Sequence, residues 1–526
     1  MPRMVRTVVT FVLTGAVLAA AGPALAERYG LVVGIDDYTA PIPALHGAVN
    51  DAKDIAGALQ KSGVKEMILL TDRQATKPAI TAAWTKLLDE AKAGDTIVFT
   101  YAGHGSQEPA PNDPDQPKGY DDTLPLVDYG LSGPALANRI VDREVSAWLK
   151  QAEAKKVFVI FVADACHSGT MYRSVSLGLT YRVVPKPKID RDELLKFAPP
   201  APNVSTKIGE NDAFSFLAGV SDDRLVPEIT IGNQSRGALS YSFARALEGA
   251  ADANHDGVTT EQELVAYVRT NVLQLTESQQ VAQAFPAVSR QIEVIANDAS
   301  KAAPDLQAAI AQAVATVEAA PLTLAYRAGA GPAAVSGAKI VADEASAELV
   351  YDVAARTVEK RVAGIVAEDV APEGLAGVVA KWRSLAILKA AAGQATIPFE
   401  VASGPRGYRR GETVSVTLGA AAHRYLTLFN LPPDGKVEFL YPRTPAERDI
   451  DMRENPFVLP LQIKDPPFGA EHLVAILSDR PLDELHAALA AAAQPKAAIA
   501  LPELIKGSLA GQGISIGIAG LFTSGS

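Results

Sequence analysis

Short apolar runs alternate with amphipathic stretches along the first half of the chain. The apolar runs predict strands at residues 29–35, 67–70, 96–101, 157–163 and 214–218. The stretches between them predict helices at residues 48–59, 80–91 and 144–152. Strands that are apolar on both faces must be covered on both faces. The pattern therefore predicts an α/β domain over residues 27–298, with a mostly parallel sheet flanked by helices.

The pattern changes twice in the second half. Residues 299–395 are Ala-rich with helical periodicity, and we expect a helical connector there rather than a low-complexity linker. Residues 396–495 alternate as strands do, at 413–418, 425–429 and 437–441, with a hairpin turn at Asp434-Gly435. They predict a smaller β-rich domain. Residues 496–526 are rich in Gly and Ala and are expected to form a tail.

Composition narrows the class of protein. The chain has 526 residues, 48% of them apolar, a formal net charge of −11 and one cysteine. This is ordinary globular composition, and it disfavours a nucleic-acid partner because no basic face stands out. A lone cysteine cannot form a disulfide within its own fold, so Cys166 is either a small buried apolar residue or a reactive thiol.

The N-terminus predicts export. Arg3 and Arg6 precede an apolar run over residues 8–21, and Ala24-Leu25-Ala26 has the form that a signal peptidase accepts. We expect cleavage after Ala26 and a periplasmic or secreted protein that does not span the membrane afterwards. A retained anchor is the alternative, although the run is shorter than the roughly 20 residues that a bilayer span needs.

Polar sequences follow two of the predicted strands. Residues 101–106 read YAGHGS, and residues 163–169 read ADACHSG. Functional residues gather at the carboxyl ends of strands in open parallel sheets, so His104 and Cys166 are expected on one edge. A neighbouring imidazole can ionise a thiol and later protonate a departing amine. The backbone N–H groups of Gly105 and Cys166 are then candidate oxyanion donors.

These segments resemble the caspase and metacaspase family, over residues 28–296. Residues 34–38 (GIDDY), 45–52 (LHGAVNDA), 101–106 and 164–169 carry the resemblance. It implies a caspase-like fold and cysteine endopeptidase activity, with His104 and Cys166 as the catalytic pair. Residues 408–412 and 435–442 resemble a domain of unknown function found after bacterial caspase-like domains.

Specificity follows partly from strand geometry. Side chains alternate along a strand, so Asp164 should project to the same side as Cys166. The resemblance implies that Asp51 and Asp164 form an acidic substrate pocket, although by position Asp51 could simply stabilise a helix N-terminus. We expect protein or peptide substrates with Arg or Lys at P1, the residue before the cleaved bond. Residues 170–213 are expected to be an exposed basic loop in which the enzyme cuts itself.

A calcium loop is predicted separately. Residues 252–263 fit the pattern D-x-[DN]-x-[DN]-G-x5-E in full. The expected ligands are oxygens of Asp252, Asn254, Asp256, Val258, Thr260 and Glu263. The alternative is an empty acidic turn. We expect no organic cofactor.

Two other functions remain open at this stage. A non-catalytic caspase-like scaffold could bind protein partners through the β-rich domain, although the presence of both His104 and Cys166 argues against it. A serine hydrolase could use Ser106 or Ser168, but the sequence lacks the strained elbow that such a serine needs.

Overall fold

The computed structural model describes residues 26–109, 120–166, 180–184, 194, 196–197, 214–219, 226–231, 234–252, 256–276, 280, 282–285, 292–296, 311–312, 315, 319, 321–361, 363–392, 397, 399–401, 408–418, 423–444, 447, 457–463, 468–491, 501–509 and 513–524. The predicted signal peptide, except Ala26, lies outside these residues. So do Asn254, Ser168 and most of the loop that follows Cys166.

The N-terminal half is built from alternating strands and helices. Its strands are β1 (Arg28–Gly34), β2 (Glu66–Thr71), β3 (Thr96–Ala102), β4 (Ser106–Pro109), β5 (Tyr120–Pro125), β6 (Arg139–Val141), β7 (Phe158–Asp164), β8 (Phe214–Ala218), β9 (Glu228–Ile231), β10 (Gln234–Gly237), β11 (Val258–Thr260), β12 (Gln283–Phe285) and β13 (Glu293–Ala296). Its helices are α1 (Ala48–Lys61), α2 (Lys77–Glu90), α3 (Asp142–Ala154), α4 (Ala238–Arg245), which runs on into a short π-helical turn, and α5 (Glu261–Leu275).

Six of these strands form one sheet in the order β12-β8-β7-β3-β1-β2. Every pair is parallel except β12 with β8. Alternate side chains of each strand enter two apolar cores. Val32 packs with α1, α4 and α5 on one face, whereas Leu31 and Val33 pack with α2 and α3 on the other. The predicted mostly parallel sheet with helices on both faces is confirmed, and burial of both faces explains its continuously apolar strands.

The C-terminal half is rich in strands: β14 (Leu322–Arg327), β15 (Ala338–Ile340), β16 (Leu349–Asp352), β17 (Thr357–Lys360), β18 (Gly364–Ala367), β19 (Phe399–Val401), β20 (Tyr408–Arg409), β21 (Thr413–Leu418), β22 (Tyr425–Leu431), β23 (Glu438–Tyr441), β24 (Phe457–Gln462), β25 (Gly469–Ser478) and β26 (Ile514–Ser524). Its helices are α6 (Leu375–Ala392), α7 (Asp483–Ala491) and α8 (Leu501–Leu509). Ten of these strands form one sheet, and β19, β21 and β24 form a separate sheet.

Two expectations for this half are wrong. The described residues of segment 299–395 include five strands, β14 to β18, in addition to the long helix α6. The strands share a sheet with β22 and β25, so their stability comes from long-range pairing that local periodicity does not report. The segment 496–526 is not merely a tail, because β26 pairs with β25 along its whole length and buries Ile514, Ile516 and Ile518.

None of the helices in the described part of the chain is long and apolar enough to cross a membrane.

Candidate active site

His104 and Cys166 lie just beyond the ends of two neighbouring parallel strands. Ala102, the last residue of β3, is directly opposite Asp164, the last residue of β7. The backbone continues for two residues beyond β3 to His104, and for two residues beyond β7 to Cys166. Both side chains are buried, with 1% and 0% of their surface exposed. Because parallel strands bring their carboxyl ends to the same edge, two residues far apart in sequence share one site.

One ring nitrogen of the His104 imidazole forms a hydrogen bond to the backbone. Its Nε2 lies 2.9 Å from the carbonyl oxygen of Pro43, and since a carbonyl only accepts, the proton is assigned to Nε2. The Nδ1 atom is buried and has no hydrogen-bond partner among the residues that the structure describes. The backbone is fixed as well, because the His104 N–H donates to the hydroxyl of Tyr38 and the Tyr101 hydroxyl donates to the His104 carbonyl. With the proton on Nε2, Nδ1 is the basic nitrogen of the imidazole.

The Cys166 thiol hydrogen-bonds to Val226, which lies 60 residues further along the chain. Its Sγ accepts a hydrogen bond of 2.9 Å from the Val226 N–H. Burial raises the pKa of the Cys166 thiol to about 12, and burial lowers the pKa of His104 to about 4. Both groups are therefore neutral near pH 7 in this structure. Among the hydrogen bonds of the described residues, none joins His104 to Cys166.

A third buried residue, Arg182, fills the space beside Cys166. Its Nη2 lies 2.5 Å from Asp51 Oδ2 and 3.3 Å from Glu228 Oε1, and its Nη1 lies 3.3 Å from Asp164 Oδ2. None of the Arg182 or Asp164 side-chain surface is exposed to solvent. One guanidinium thus contacts three carboxyl groups from three different elements of the fold. Asp51 and Asp164, the residues predicted to bind the P1 side chain, lie together in this pocket.

Backbone N–H groups hold the three carboxylates in place. Asp51, in the first turn of α1, accepts from Gly237 at 2.8 Å, and Asp164 accepts from Ser240 at 2.8 Å. Glu228 accepts from the N–H groups of His46 and Gly47. Gly237 is required where it stands, because a Cβ there would lie 2.2 Å from Asp164 Oδ2 and 2.4 Å from Arg182 Nη1.

Electrostatics in the pocket favour a cation. Burial would lower the pKa of Arg182, but attraction to Asp164, Asp51 and Glu228 outweighs it and raises that pKa above its ordinary value. Burial raises the pKa of Asp51 to about 8 even though Arg182 opposes the change. A pocket of buried carboxylates is costly without a bound cation, because desolvation disfavours each negative charge.

The predicted oxyanion donors, the N–H groups of Gly105 and Cys166, both hydrogen-bond to the backbone of Arg182. Its carbonyl oxygen accepts from the N–H of Gly105 at 3.0 Å and from the N–H of Cys166 at 3.1 Å. The close approach at this point needs glycine, since a Cβ on Gly105 would lie 1.7 Å from the Cys166 carbonyl oxygen. The hydroxyl of Ser106, the alternative nucleophile, donates a hydrogen bond to the Val184 carbonyl.

Sequence reasoning missed two features of this site. The loop 170–213 was expected to be exposed, yet Arg182 and Val184 are both 0% exposed, because the carboxylates and the backbone of Gly105 hold them inward. Glu228 was not singled out at all. It lies at the start of β9, far along the chain from Asp51 and Asp164, and no spacing pattern links the three.

The predicted calcium loop lies elsewhere, between α4 and α5. Asp252 accepts from the N–H groups of Asp256 and Gly257, and the Glu263 carboxylate accepts from both the N–H and the hydroxyl of Thr260. Val258 begins β11. The described residues include no group of three or more His, Cys, Asp or Glu side chains that could hold a metal ion, and Asn254 lies outside them.

A thiol and an imidazole at adjacent strand ends, beside backbone N–H donors and an acidic pocket, define a site of the cysteine-peptidase class. Residues 28–174 match the family model of the metacaspase, peptidase C14 domain. Metacaspase-1 of Pyricularia oryzae is 28% identical over 260 residues, which cover 42% of this chain and 64% of the relative. Metacaspase-2 of Arabidopsis thaliana is 30% identical over 240 residues, which cover 43% and 53%.

Residues 28–174 are therefore similar to the metacaspase, peptidase C14 domain of the caspase-like cysteine peptidases. The chain spans less than two thirds of the length of these curated relatives. The matched residues include His104 and Cys166 but end before Arg182 and Glu228. The crystal structure of protein GSU0716 from Geobacter sulfurreducens aligns with a TM-score of 0.39 at 19% identity, covering 52% of this chain and 100% of that one.

Proposed function

We propose that this chain is an exported cysteine endopeptidase that cleaves after Arg or Lys and that processes itself in the loop after Cys166. His104 and Cys166 are its catalytic pair, and Asp51 and Asp164 select the P1 side chain. The observation that carries the proposal is the pose of Arg182. A single arginine places its guanidinium between the two carboxylates and its carbonyl oxygen on the N–H groups of Gly105 and Cys166.

The specificity follows from charge. A guanidinium or ammonium at P1 would replace the cation that the buried carboxylates need, whereas an Asp at P1 would add a fourth negative charge to them. Arg also matches the pocket in shape, because its planar fork can donate to several carboxylates at once.

Peptide-bond cleavage would use the N–H groups of Gly105 and Cys166, the Cys166 thiol and the His104 imidazole. When a substrate carbonyl takes the place of the Arg182 carbonyl, the N–H groups of Gly105 and Cys166 stabilise the negative charge that develops on its oxygen. His104 Nδ1 takes the thiol proton of Cys166 and later gives it to the departing amine. Hydrolysis of the acyl-enzyme by water completes the reaction.

Peptide profiling of the mature protein tests this function. Matched fluorogenic peptides that differ only in P1, as Arg, Lys or Asp, should be cleaved in that order of kcat/KM, with Asp at background. Cys166→Ala should abolish cleavage with the fold intact, and His104→Ala should lower it by at least about 10²-fold. Full activity of the Cys166→Ala protein would overturn the assignment of Cys166 as the nucleophile, and a parent protein that cleaves none of the peptides would favour the non-catalytic scaffold.

A further inference from the structure

Three polar side chains of the C-terminal half meet at one end of its large sheet. His423 lies just before β22, Asp479 just after β25 and Ser515 near the start of β26. Nδ1 of His423 lies 2.8 Å from Asp479 Oδ1, and its Nε2 lies 3.0 Å from the Ser515 hydroxyl oxygen. One imidazole thus joins a carboxylate to a hydroxyl, which is the Ser–His–Asp arrangement of serine hydrolases.

The proton positions in this cluster follow from the hydrogen-bond partners. A carboxylate only accepts hydrogen bonds, so the imidazole proton is assigned to Nδ1 of His423. Nε2 then accepts from the Ser515 hydroxyl. This is the tautomer that a general base needs in order to take a proton from serine.

The surrounding backbone holds the three side chains at hydrogen-bonding distance. The strands β22, β25 and β26 are adjacent and pair in register at this end of the sheet. The Asp479 N–H donates to the Gly513 carbonyl at 3.3 Å. A Cβ on Gly513 would lie 2.4 Å from Asp479 Oδ2 and 3.3 Å from Cε1 of His423. Glycine therefore leaves the space that the carboxylate and the imidazole occupy.

Solvent reaches the cluster, and the sheet closes one side of it. The exposed fraction is 57% for the Asp479 side chain and 15% for that of His423, and Ser515 is half-buried. Leu477 lies directly opposite Ser515 in β25 and is fully buried. The exposed side can therefore admit a small acyl group, whereas Leu477 closes the side toward β25.

The local sequence around Ser515 has the spacing of a hydrolase motif without its conformation. Residues 513–517 read GISIG, which fits G-x-S-x-G. In that motif the serine lies on a sharp turn between a strand and a helix, whereas Ser515 belongs to the extended strand β26. The assignment of Ser515 therefore rests on its contact with His423.

We propose that Ser515, His423 and Asp479 form a second catalytic site that hydrolyses small carboxylic esters independently of Cys166. The Ser515 oxygen bonds to the ester carbonyl carbon while its proton passes to Nε2 of His423. The bond from that carbon to the alcohol oxygen breaks, and the alcohol leaves with the proton from His423. Water then hydrolyses the acyl-serine through the same imidazole, which releases the carboxylic acid and restores the hydroxyl.

The two other groups have different parts in this reaction. His423 exchanges protons with the reacting atoms, whereas Asp479 is a positioning residue that acts only through Nδ1 of His423. Esters are the expected substrates because an alcohol leaves more readily than the amine of a peptide, so the reaction demands less of the site.

Labelling of the serine tests the site directly. Full-length mature protein carrying Cys166→Ala, so that no thiol contributes, is incubated with a fluorophosphonate probe, whose fluoride the Ser515 oxygen would displace. The adduct is mapped by mass spectrometry, and hydrolysis of p-nitrophenyl acetate is measured on the same samples. We expect one adduct, on Ser515, and ester hydrolysis that Ser515→Ala abolishes. Ser508→Ala is the matched control, since that hydroxyl donates to the Leu504 carbonyl of its own helix.

Variants of the other two residues separate catalysis from packing. His423→Gln should lower both labelling and hydrolysis by at least about 10²-fold. Asp479→Asn should lower kcat at an unchanged KM, because an amide can hold the wrong tautomer of His423. Asp479→Glu should recover part of kcat, since the exposed side chain has room to lengthen. Contacts that only stabilise the fold would change Tm in these variants and leave labelling unchanged.

Several results would overturn the second site. The first is Cys166→Ala protein that neither takes up the probe at Ser515 nor hydrolyses the ester, a result that needs no substitution at the site and so stands even if Ser515→Ala does not fold. Another is labelling of Ser515 that does not depend on His423, because the hydroxyl would then not be activated. Hydrolysis that survives Ser515→Ala would mean that a different group reacts. Peptide cleavage by Cys166 does not enter these measurements, so this proposal and the proposed function can fail separately.

Discussion

Arg182 and Asp164 form a fully buried ion pair, with Nη1 of the arginine 3.3 Å from Oδ2 of the aspartate. Asp164 ends the strand that leads to Cys166, so the same strand positions the pocket and the nucleophile. Selection of the P1 side chain and attack on its carbonyl are therefore linked by two residues of backbone.

Loss of the pocket charge should weaken selection of basic residues. Asp164→Asn removes one carboxylate yet keeps an oxygen that can accept from Ser240. We expect kcat/KM for Arg peptides to fall by about 10²-fold or more, since breaking a buried ion pair costs about 3–5 kcal/mol. Asp369→Asn is the matched control, because Asp369 pairs with Arg356 in the C-terminal half. Equal losses in both variants would contradict the assignment.

Glu228 should set the preference for Arg over Lys. It contacts the same guanidinium nitrogen as Asp51, and a single ammonium cannot span all three carboxylates in the same way. In Glu228→Gln we expect the ratio of kcat/KM for Arg to that for Lys to fall about tenfold, the worth of one hydrogen bond to a charged group. Paired peptides measured in one assay give this ratio directly. An unchanged ratio would show that Glu228 only supports the backbone at His46 and Gly47.

His104 should make the folded state less stable in acid. Its pKa is lowered by burial to about 4, below the ordinary value of 6.5, so between these values the unfolded chain binds a proton that the folded chain does not. Stability should therefore fall as the pH drops from about 6.5 to about 4, by roughly 2–3 kcal/mol. Urea unfolding of the uncut Cys166→Ala protein at pH 7.5 and 4.5, with and without His104→Asn, isolates this contribution. The same acid sensitivity in both would refute it.

Calcium binding by residues 252–263 is a separate proposal. Glu263 also caps α5 through Thr260, so Glu263→Gln, combined with Asp252→Asn, lowers the ligand charge while keeping a capping acceptor. At calcium concentrations near 100 times Kd we expect the parent Tm to rise by roughly 5 °C and the double variant to show no rise. A parent protein whose Tm ignores calcium, measured against magnesium as the control, would mean that the loop does not bind it.

The sequence predicted the parallel strands of the N-terminal sheet well because most of their residues are apolar, and its helices because each has a buried stripe. The strand-end positions of His104 and Cys166 followed from the same pattern. Arg182 and Glu228 could not be placed in this way, since their burial depends on pairing with carboxylates far away in sequence. In the C-terminal half, β14 to β18 were missed because Ala-rich composition suggested helix, whereas these strands pair with one another and join the larger sheet where β18 meets β25.

Cys166 is proposed to attack a carbonyl whose P1 side chain is a cation. The most direct test is to treat the processed mature protein with a peptide ketone electrophile that carries Arg at P1, and with its Asp counterpart, and to map the adducts by mass spectrometry. We expect one adduct, on Cys166, from the Arg probe and essentially none from the Asp probe. Equal labelling by the two probes, or an adduct on any residue other than Cys166, would contradict it.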